Sequence, residues 1–505
     1  MHGFPGEERE YGFTETPVKL LMQRRIEDVL LVCSKYDRFM LEEDGRVDEQ
    51  IFQEYVSLNL RYPPKFTQVY TEADAFALLG DQHFDLVISM LNMGGPDAVQ
   101  LAENVCSRYP ELPVVLLTPA SRGTTLQITQ SQRGRGIQQF AWLGDDSILL
   151  ALVKLIEDRM NVDADVASAG VQVIVLVEDS VRFYSSYLPV IYRVLFQQAR
   201  NLMEEGLNEW EQTMRMRCRP KILLANTYEE AVSLCDRYRD NLLGVISDVS
   251  YERDGEEDPQ AGLELCRHIR QRGEAIPVLL QSSERKHRRD AAACGAGYLY
   301  KNSKKLLYNL SRYIREQYGF GDFLFRDPAT GAVVEHASDL RDLQHKITSV
   351  PNDSLLHHAA RNDISRWLRA RALFSLADVS ARITLDPDLV EESKEEVYKL
   401  FGAYRRFESR GKIARFERER YDEYASFSRI GEGSLGGKGR GLAFIDHSLK
   451  EHRMRDTYDG IVISVPQTVV LGTDVFQRFV ESNNLVDLLT MGEPSDQEIL
   501  DRFVE

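Results

Sequence analysis

Several features are missing from this sequence of 505 residues, and each absence removes a class of protein. The six cysteines are scattered, and no two of them have the CxxC spacing of a zinc site or a redox pair. The first residues contain neither the basic nor the apolar stretch of a secretory leader. No segment approaches the roughly 18 consecutive apolar residues of a membrane-spanning helix. We therefore expect a cytoplasmic protein with reduced thiols and no membrane partner.

Positive charge is also in deficit. The chain has 62 Lys and Arg residues against 79 Asp and Glu residues, which gives a formal net charge of −17. A surplus of negative charge argues against nucleic acid as the main partner, because its phosphates would be repelled. A chain of this length is expected to form about three or four domains. Its hydrophobic content of 43% is sufficient for sizeable cores.

An imperfect internal repeat organises the first two thirds of the chain. Short runs rich in Val, Ile and Leu alternate with amphipathic segments, a pattern typical of parallel strands that are covered on both faces by helices. The two series of runs are DVLLVC, FDLVIS, LPVVLL and FAW, then VIVLV, LLGVIS, IPVLLQ and GYLY. We predict two tandem flavodoxin-like α/β units at residues 25–160 and 170–318, after an N-terminal arm at 1–24. The small, polar segment Asn161–Gly170 is interpreted as the linker.

Polar residues follow the strands of the second unit in a fixed order. An acid pair, a lone acid, a hydroxyl and an amine come directly after or end successive runs: Glu178 and Asp179, Asp248, Ser282, and Lys301. The carboxyl ends of parallel strands meet at one edge of a sheet, where binding sites form. Crowded carboxylates are costly without a cation, and Mg²⁺ prefers hard oxygen ligands. The alternative is that these acids are merely solvated.

This order resembles the receiver domain of two-component response regulators. The resemblance implies that Asp248 accepts a phosphoryl group from a histidine kinase or another phosphodonor. It implies that Lys301 and Ser282 hold the phosphoryl oxygens, and that Ser282 acts as a switch. It also implies a set of Mg²⁺ ligands: Asp179, Asp248, Glu178 through water, and the carbonyl of Ser250.

Two segments depart from the receiver pattern. The stretch Tyr192–Pro220 reads as a much lengthened first helix, which either packs on a partner or extends outward. The stretch Ser250–Gly262 is longer and more acidic than the usual loop after the acceptor. It is expected to lie beside the metal, where it would slow dephosphorylation or exclude a cognate kinase. Neither departure removes a predicted ligand.

The first unit has the same frame without this chemistry. Cys33 and Ser34 stand where the acid pair is expected, and Met90 stands where the acceptor is expected. Leu143 and Gly144 replace the lysine, and only Thr118 matches. A thioether is neither a phosphoacceptor nor a good ligand for Mg²⁺. We predict a pseudo-receiver that serves docking or homodimerisation, or alternatively a rigid spacer.

Residues 326–425 are expected to form a helical connector. Ser338 is predicted to cap its first helix. His357 and His358 lie in a second helix and could relay phosphate, but the surrounding sequence favours packing or surface roles. The basic segment Arg405–Arg420 is interleaved with glutamates, which is typical of a solvated, self-paired helix face.

The last 80 residues contain a glycine-rich segment, FSRIGEGSLGGKGRGLAFI, followed by ISVPQTVVLGTDVF. They resemble the start of the nucleotide-binding domain of phosphoenolpyruvate synthase and pyruvate phosphate dikinase, although Thr468 replaces the usual glycine. Glycines let backbone N–H groups approach phosphate oxygens at a helix start, and a lysine adds positive charge. The residues that would contact ATP are Gly436, Gly437, Lys438 and Gly439. A flexible surface loop is the alternative.

The resemblance implies that residues 426–505 form only the opening of an ATP-grasp-like domain. We expect either the N-terminal piece of a longer protein or a degenerate remnant, inactive by itself. The favoured hypothesis is a signalling protein whose phosphorylation at Asp248 regulates a fused ATP-dependent phosphotransferase. The second is a metabolic phosphotransferase with appended receivers, and the third is a scaffold.

Overall fold

The computed structural model describes most of the chain. The described residues are 11–14, 16–42, 47–57, 60, 62–90, 97–119, 136–145, 147–204, 215–271, 276–409, 413–416, 418, 423–452, 454, 458, 461, 463–486 and 495–504. None of the helices within these ranges combines the length and the apolar character that a bilayer crossing demands.

The first unit is built on a five-stranded parallel sheet. Its strands are β1 (Asp28–Cys33), β2 (Lys65–Val69), β3 (Leu86–Met90), β4 (Val114–Pro119) and β5 (Ile137–Trp142). Its helices are α1 (Lys35–Leu41), α2 (Val47–Ser57), α3 (Glu72–Asp81), α4 (Asp97–Arg108) and α5 (Ser147–Ala169). The strands lie in the order β2-β1-β3-β4-β5. β1 and β3 are almost entirely buried because helices cover both faces of the sheet, which explains their continuous apolar sequences.

The second unit repeats this topology. Its strands are β6 (Val173–Val177), β7 (Lys221–Ala225), β8 (Leu242–Asp248), β11 (Val278–Ser282) and β12 (Gly297–Tyr300). Its helices are α6 (Val181–Glu204), α7 (Tyr228–Arg237), α8 (Ala261–Arg270), α9 (His287–Ala293) and α10 (Leu306–Gln317). The order β7-β6-β8-β11-β12 is again 2-1-3-4-5, the order of flavodoxin-like sheets. The mixed α/β fold with parallel sheets agrees with the sequence-based expectation.

The acidic stretch after β8 forms a hairpin instead of a loop. Its strands are β9 (Tyr251–Arg253) and β10 (Glu256–Asp258), which pair antiparallel. The turn residues Asp254 and Gly255 both have positive φ, 53° and 83°. An Asp-Gly pair suits this conformation because both residues tolerate it better than others do. The hairpin is therefore specified locally, by its two adjacent turn residues.

The segment interpreted as a linker is not an exposed connection. Residues 161–169 are the last turns of α5, and Asn161 and Asp165 are buried there. The Asn161 amide donates to the carbonyl of Arg24, and the Asp165 carboxylate accepts from the backbone N–H of Met22. The polar residues that suggested a boundary are thus partners of the N-terminal segment.

Helix α6 joins the two units by packing, and it does not extend outward. The Ser185 hydroxyl accepts from the backbone N–H of Ala141, at 2.9 Å, and the Tyr184 hydroxyl donates to the carbonyl of Gln139. Both of these backbone groups belong to β5, the edge strand of the first sheet. The predicted lengthening beyond residue 204 lies in part outside the described residues.

A buried ion pair fixes this junction. The Arg219 guanidinium donates to both carboxylate oxygens of Asp158, at 2.7 and 2.9 Å. Their side chains are 3% and 0% exposed. Asp158 lies on α5, and it also accepts from the Tyr192 hydroxyl of α6 and from the backbone N–H of Ile222 in β7. One carboxylate therefore connects three elements.

Replacing Arg219 with Met is expected to lower the free energy of unfolding by about 3 kcal/mol, because the buried Asp158 carboxylate loses both guanidinium hydrogen bonds and keeps only the more distant Lys221 ammonium, 4.0 Å away, of its two cations. The control is Arg237→Met, which breaks a pair of the same length, 2.7 Å, with Asp163 on the same helix. Those side chains are about 60% exposed, so we expect a loss of ~0–1 kcal/mol. Urea unfolding measures both values, and equal losses would contradict the prediction.

The region after the second sheet is mainly helical, as expected. It begins with a hairpin of β13 (Phe323–Arg326) and β14 (Val333–Ala337). Its helices are α11 (Leu340–Ile347), α12 (Asn352–Ala360), α13 (Asp363–Ala370), α14 (Phe374–Ser380) and α15 (Val390–Glu408). The predicted cap at Ser338 is wrong by one residue. Asp339 caps α11, since its carboxylate accepts from the backbone N–H of Asp342, and Ser338 instead donates its own N–H to the Asp342 side chain.

The last part of the described chain is a small α/β unit. Its strands are β15 (Ala414–Arg415), β16 (Phe427–Ile430) and β17 (Thr468–Leu471), which are parallel. Its helices are α16 (Gly437–Glu451), α17 (Thr473–Ser482) and α18 (Asp496–Val504). A glycine-rich turn, a helix, a strand and a second helix follow one another from β16 to α17. The basic segment Arg405–Arg420 is described at 405–409, 413–416 and 418, and it is not the solvated helix face that the sequence predicts. Arg405 is buried and donates to the Gln344 side-chain oxygen at 2.6 Å, and Ala414–Arg415 form a strand.

Candidate functional site

The register of the second sheet brings the predicted residues to one edge. Ser247, the residue before Asp248, pairs with Val177, and Asp248 pairs with Gln281. Ser282 pairs with Tyr300. Because Glu178, Ser282 and Lys301 adjoin these partners, they lie at the same level as Asp248. The convergence expected from the strand ends is therefore a consequence of the pairing.

Lys301 lies at the centre of the site. Its ammonium donates to Asp248 Oδ2 at 2.5 Å and lies 2.7 Å from Glu178 Oε2 and 3.0 Å from Glu178 Oε1. The nitrogen also lies 4.3 Å from the centre of the Phe183 ring at the start of α6. All three charged side chains are at least seven-eighths buried. One cation thus neutralises part of a buried acid pair.

Asp179 completes a group of three carboxylates. Oxygen atoms of Glu178, Asp179 and Asp248 all lie within 4.8 Å of one another. Asp248 is further held by the backbone N–H of Val249, which donates to Oδ1 at 2.7 Å. Glu178 is held through its carbonyl, which accepts from the Asn226 amide at 2.7 Å. Three hard oxygen donors with one nearby ammonium suit a divalent cation such as Mg²⁺ in charge and in chemistry.

The electrostatics of the site favour a further cation. Burial, together with the neighbouring Asp248 carboxylate, raises the pKa of Glu178 from 4.5 to about 8, despite the Lys301 ammonium. Burial and Asp248 also raise the pKa of Asp179. A single lysine therefore does not compensate all three negative charges, and a bound divalent cation would.

We expect the stability of the metal-free protein to fall as the pH rises between about 4.5 and about 8. The folded state holds the Glu178 proton more tightly than the unfolded state does, so the contribution to stability is complete below the unfolded pKa of 4.5 and is lost as the pH passes the folded pKa of about 8. Urea unfolding in EDTA at a series of pH values between about 4.5 and about 8 tests this expected fall in stability. Glu178→Gln is the control, since the difference between the two curves isolates this group. A difference that does not change with pH would contradict the prediction.

Ser282 and Ser250 have partners that the sequence did not indicate. The Ser282 hydroxyl oxygen lies 2.8 Å from Nδ1 of His287 and accepts from the backbone N–H of Glu284 at 3.0 Å. The Ser250 hydroxyl donates to Glu257 in the β9–β10 hairpin, at 2.9 Å. Glu257 thereby stands beside the acid cluster, as the acidity of this stretch suggested. Ligation by the Ser250 carbonyl stays a prediction.

The first unit provides an internal comparison. At the corresponding strand ends, Cys33 and Met90 pair in register and are buried in the apolar core. Burial raises the pKa of Cys33 to about 12, so its thiol stays protonated and unreactive. Ser34 caps α1 by accepting from the backbone N–H of Asp37, and the Thr118 hydroxyl donates to the carbonyl of Phe140. Strand ends in this fold therefore do not require acids for folding.

The glycine-rich segment forms the turn between β16 and α16. Its first part is packed tightly, because a Cβ at Gly431 or Gly433 would lie 2.5 Å from atoms of Asp474. The Asp474 carboxylate accepts from the backbone N–H groups of Glu432 and Gly433, at 3.1 and 2.7 Å. By contrast, a Cβ at Gly436 or Gly437 would meet nothing within 4 Å. Packing therefore explains the first glycines of the loop and leaves the second pair unexplained.

The connector histidines have structural surroundings. His358 is 4% exposed, and its Nε2 accepts from the backbone N–H of Arg326 at 2.9 Å. Its Nδ1 lies 2.8 Å from the Asp363 carboxylate. The ring also packs against Phe323 and Phe325. The packing role favoured by the sequence is confirmed for His358.

Three groups near the site escaped sequence reasoning: His287, Phe183 and Glu257. His287 and Phe183 are brought to the site by helix starts and Glu257 by the short strand β10, where neither the periodicity of the sheet strands nor residue order signals a role. Only the acidity of the stretch around Glu257 gave a partial signal.

No protein-family model matches the sequence, and no curated protein matches it. The chain is similar to two solved structures described as two-component system response regulator/GGDEF domain proteins. One has 16% identity and a TM-score of 0.23 over 58% of this chain and 99% of its own. The other has 17% identity and a TM-score of 0.24 over 58% and 97%. NtrX from Brucella abortus has 12% identity and a TM-score of 0.21 over 91% and 99%. At these TM-scores the likeness carries no argument about function, which has to depend on the site.

Proposed function

We propose that the second unit is a receiver in which Asp248 accepts a phosphoryl group, in two-component signalling. The observation that carries this proposal is the Lys301 ammonium, which contacts both the Asp248 and the Glu178 carboxylates at the carboxyl edge of the sheet. Asp179 adds a third carboxylate to the same edge. The first unit supports the proposal, because the same fold forms there with none of these charged groups.

The transfer is a displacement at phosphorus. An oxygen of the Asp248 carboxylate forms a bond to phosphorus, and the bond from phosphorus to the donor breaks. With acetyl phosphate the acetate leaves with the electron pair, and with a phosphohistidine the imidazole leaves and takes up a proton. The product is an acyl phosphate on Asp248.

The surrounding residues have separate tasks in this step. Lys301 stabilises the negative charge of the transferred oxygens, and the backbone N–H of Val249 orients the nucleophile through its other oxygen. Glu178, Asp179 and Asp248 would hold Mg²⁺, with the Ser250 carbonyl as a further ligand. The ion would supply positive charge that offsets the repulsion between the carboxylates and the incoming phosphate.

The test is phosphoryl uptake by the full chain. We expect the intact mass to increase by one phosphoryl group after incubation with acetyl phosphate and Mg²⁺, and to stay unchanged in EDTA. The modification should map to the peptide that contains Asp248, and none should map to the first unit. The absence of phosphoryl uptake from acetyl phosphate, phosphoramidate and carbamoyl phosphate would contradict the proposal.

We also propose that the glycine-rich turn before α16 binds nucleotide phosphates and that the receiver regulates this unit. Gly436 and Gly437 support this, since packing does not require glycine there and helix α16 begins at Gly437. Backbone N–H groups at a helix start attract phosphate, and Lys438 and Gly439 follow in the first turn. An ATP-dependent phosphotransferase similar to phosphoenolpyruvate synthase would use such a turn.

Titration of the full chain with ATP and Mg²⁺ tests this second proposal. The variant is Gly436→Val, whose Cβ would meet no protein atom within 4 Å and whose side chain would obstruct a bound phosphate. We expect the variant to lose binding. Phosphorylation of Asp248 should change the ATP affinity if the receiver is regulatory. An affinity that is indifferent to phosphorylation would favour the metabolic alternative, with the receivers as appendages. A chain without measurable ATP binding would refute the nucleotide proposal and leave the receiver proposal intact.

A further inference from the structure

Ser282 and His287 form a hydrogen bond that crosses from the end of β11 to the start of α9. The distance from Ser282 Oγ to His287 Nδ1 is 2.8 Å, and the two residues are only 6% and 7% exposed. The pair is therefore shielded from water, which would otherwise compete for the hydroxyl. Buried polar groups of this kind keep their partners because an unmade bond is costly.

The chemistry of the partners decides which group donates. The backbone N–H of Glu284 points at Ser282 Oγ, at 3.0 Å, and it can only donate. Of the two partners, only the imidazole nitrogen can accept the hydroxyl hydrogen. Both groups are satisfied when Ser282 donates to an unprotonated Nδ1. In this tautomer of His287, the single hydrogen of the hydroxyl is already in use.

Ser282 adjoins the proposed phosphorylation site through the backbone of the sheet. The backbone N–H of Lys301 donates to the Ser282 carbonyl at 2.9 Å, so the two residues adjoin at the ends of β11 and β12. The Lys301 ammonium contacts Asp248, and Asp248 pairs with Gln281, the residue before Ser282. A phosphoryl group on Asp248 would bring new acceptor oxygens to this edge of the sheet.

We propose that His287 is a positioning residue that holds the Ser282 hydroxyl in the unphosphorylated state and competes with the phosphoryl group for its hydrogen. This inference rests on the proposed function of Asp248. On phosphorylation, the Ser282 hydroxyl stops donating to His287 and donates to a phosphoryl oxygen instead. The hydrogen bond between the end of β11 and the start of α9 is then lost. The first turn of α9 has no side-chain cap from Lys286, and the hydrogen bond of His287 with Ser282 links this turn to the end of β11.

The experiment uses beryllofluoride with Mg²⁺, a phosphoryl analogue, titrated into the full chain and followed by fluorine NMR. Removing the competing acceptor in His287→Ala is expected to tighten analogue binding roughly three- to tenfold, the worth of one neutral hydrogen bond. His287→Asn places an amide oxygen near the position of Nδ1 and is expected to restore the wild-type affinity. Thermal unfolding of each variant shows that the fold is kept.

A double-mutant comparison separates this role from general packing. Ser282→Ala removes the hydroxyl, and in that background His287→Ala is expected to leave analogue affinity unchanged. A residue with only a packing role would change affinity equally in both backgrounds. If the wild-type protein binds the analogue but His287→Ala binds it equally or more weakly, the inference about His287 is wrong. If the wild-type protein binds no analogue, the proposed function itself fails, and the inference falls with it.

Discussion

Replacing Asp248 with Asn is expected to abolish phosphoryl uptake from acetyl phosphate completely. The amide nearly preserves the size of the side chain and its contact with Lys301, but it lacks the anionic oxygen that attacks phosphorus. Intact-mass measurement after incubation with Mg²⁺ gives the result directly. Among the changes considered for this chain, this substitution has the largest expected effect on function.

The matched control is Asp254→Asn in the neighbouring hairpin. Asp254 is an exposed carboxylate, with a side chain that is 87% exposed, and its positive φ suits Asn equally well. Phosphoryl uptake by Asp254→Asn should match that of the wild-type protein. Uptake that persists in Asp248→Asn would assign the phosphoacceptor to another residue and would refute the role given to the acid cluster.

Replacing Lys301 with Met is expected to destabilise the metal-free protein by ~3–5 kcal/mol, because Glu178 and Asp248 would remain buried without their ammonium partner. Saturating Mg²⁺ should recover much of this loss, since a divalent cation supplies the missing positive charge. The loss in EDTA should be larger at pH 9 than at pH 6. At the lower pH, below the raised pKa of about 8, Glu178 is protonated and carries no charge.

Urea unfolding with and without Mg²⁺ measures this effect. Lys286→Met is the control, because it breaks a pair with Glu284 at the same edge of the sheet whose side chains are 69% and 55% exposed. We expect Lys286→Met to lower the free energy of unfolding by less than ~1 kcal/mol. A loss for Lys301→Met that is identical in EDTA and in Mg²⁺ would argue that the cluster does not bind the ion.

The pattern of apolar runs and their order along the chain predicted the two parallel sheets well. Runs such as VIVLV and LLGVIS are continuous because both faces of each strand are buried, and this periodicity is a local property of the sequence. The site followed from the same information, because residues at the carboxyl ends of parallel strands have to share an edge. Glu178, Asp248 and Lys301 could be placed together before any distance was known.

The extent of helix α5 and the cap of helix α11 were predicted less well. The segment 161–169 has the small, polar composition of a linker, yet it is helical because Asn161 and Asp165 find partners in the N-terminal segment. Ser338 and Asp339 are both good caps by residue type, and only the backbone conformation selects Asp339. The partners of Asn161 and Asp165 are 137 and 143 residues away along the chain, whereas the cap is decided by local backbone conformation.

By itself, the sequence determined the periodicity of both sheets and the set of charged groups at one edge, since both depend on residue type and order along the chain. Only the tertiary structure decided that Lys301 contacts two carboxylates at once, that α6 covers the edge of the first sheet, and that Ser282 already has a partner in His287. The first of these contacts depends on the register of the second sheet, and the other two depend on helix packing and on the turn before α9. Their geometry depends on the whole fold, and local sequence carries no record of it.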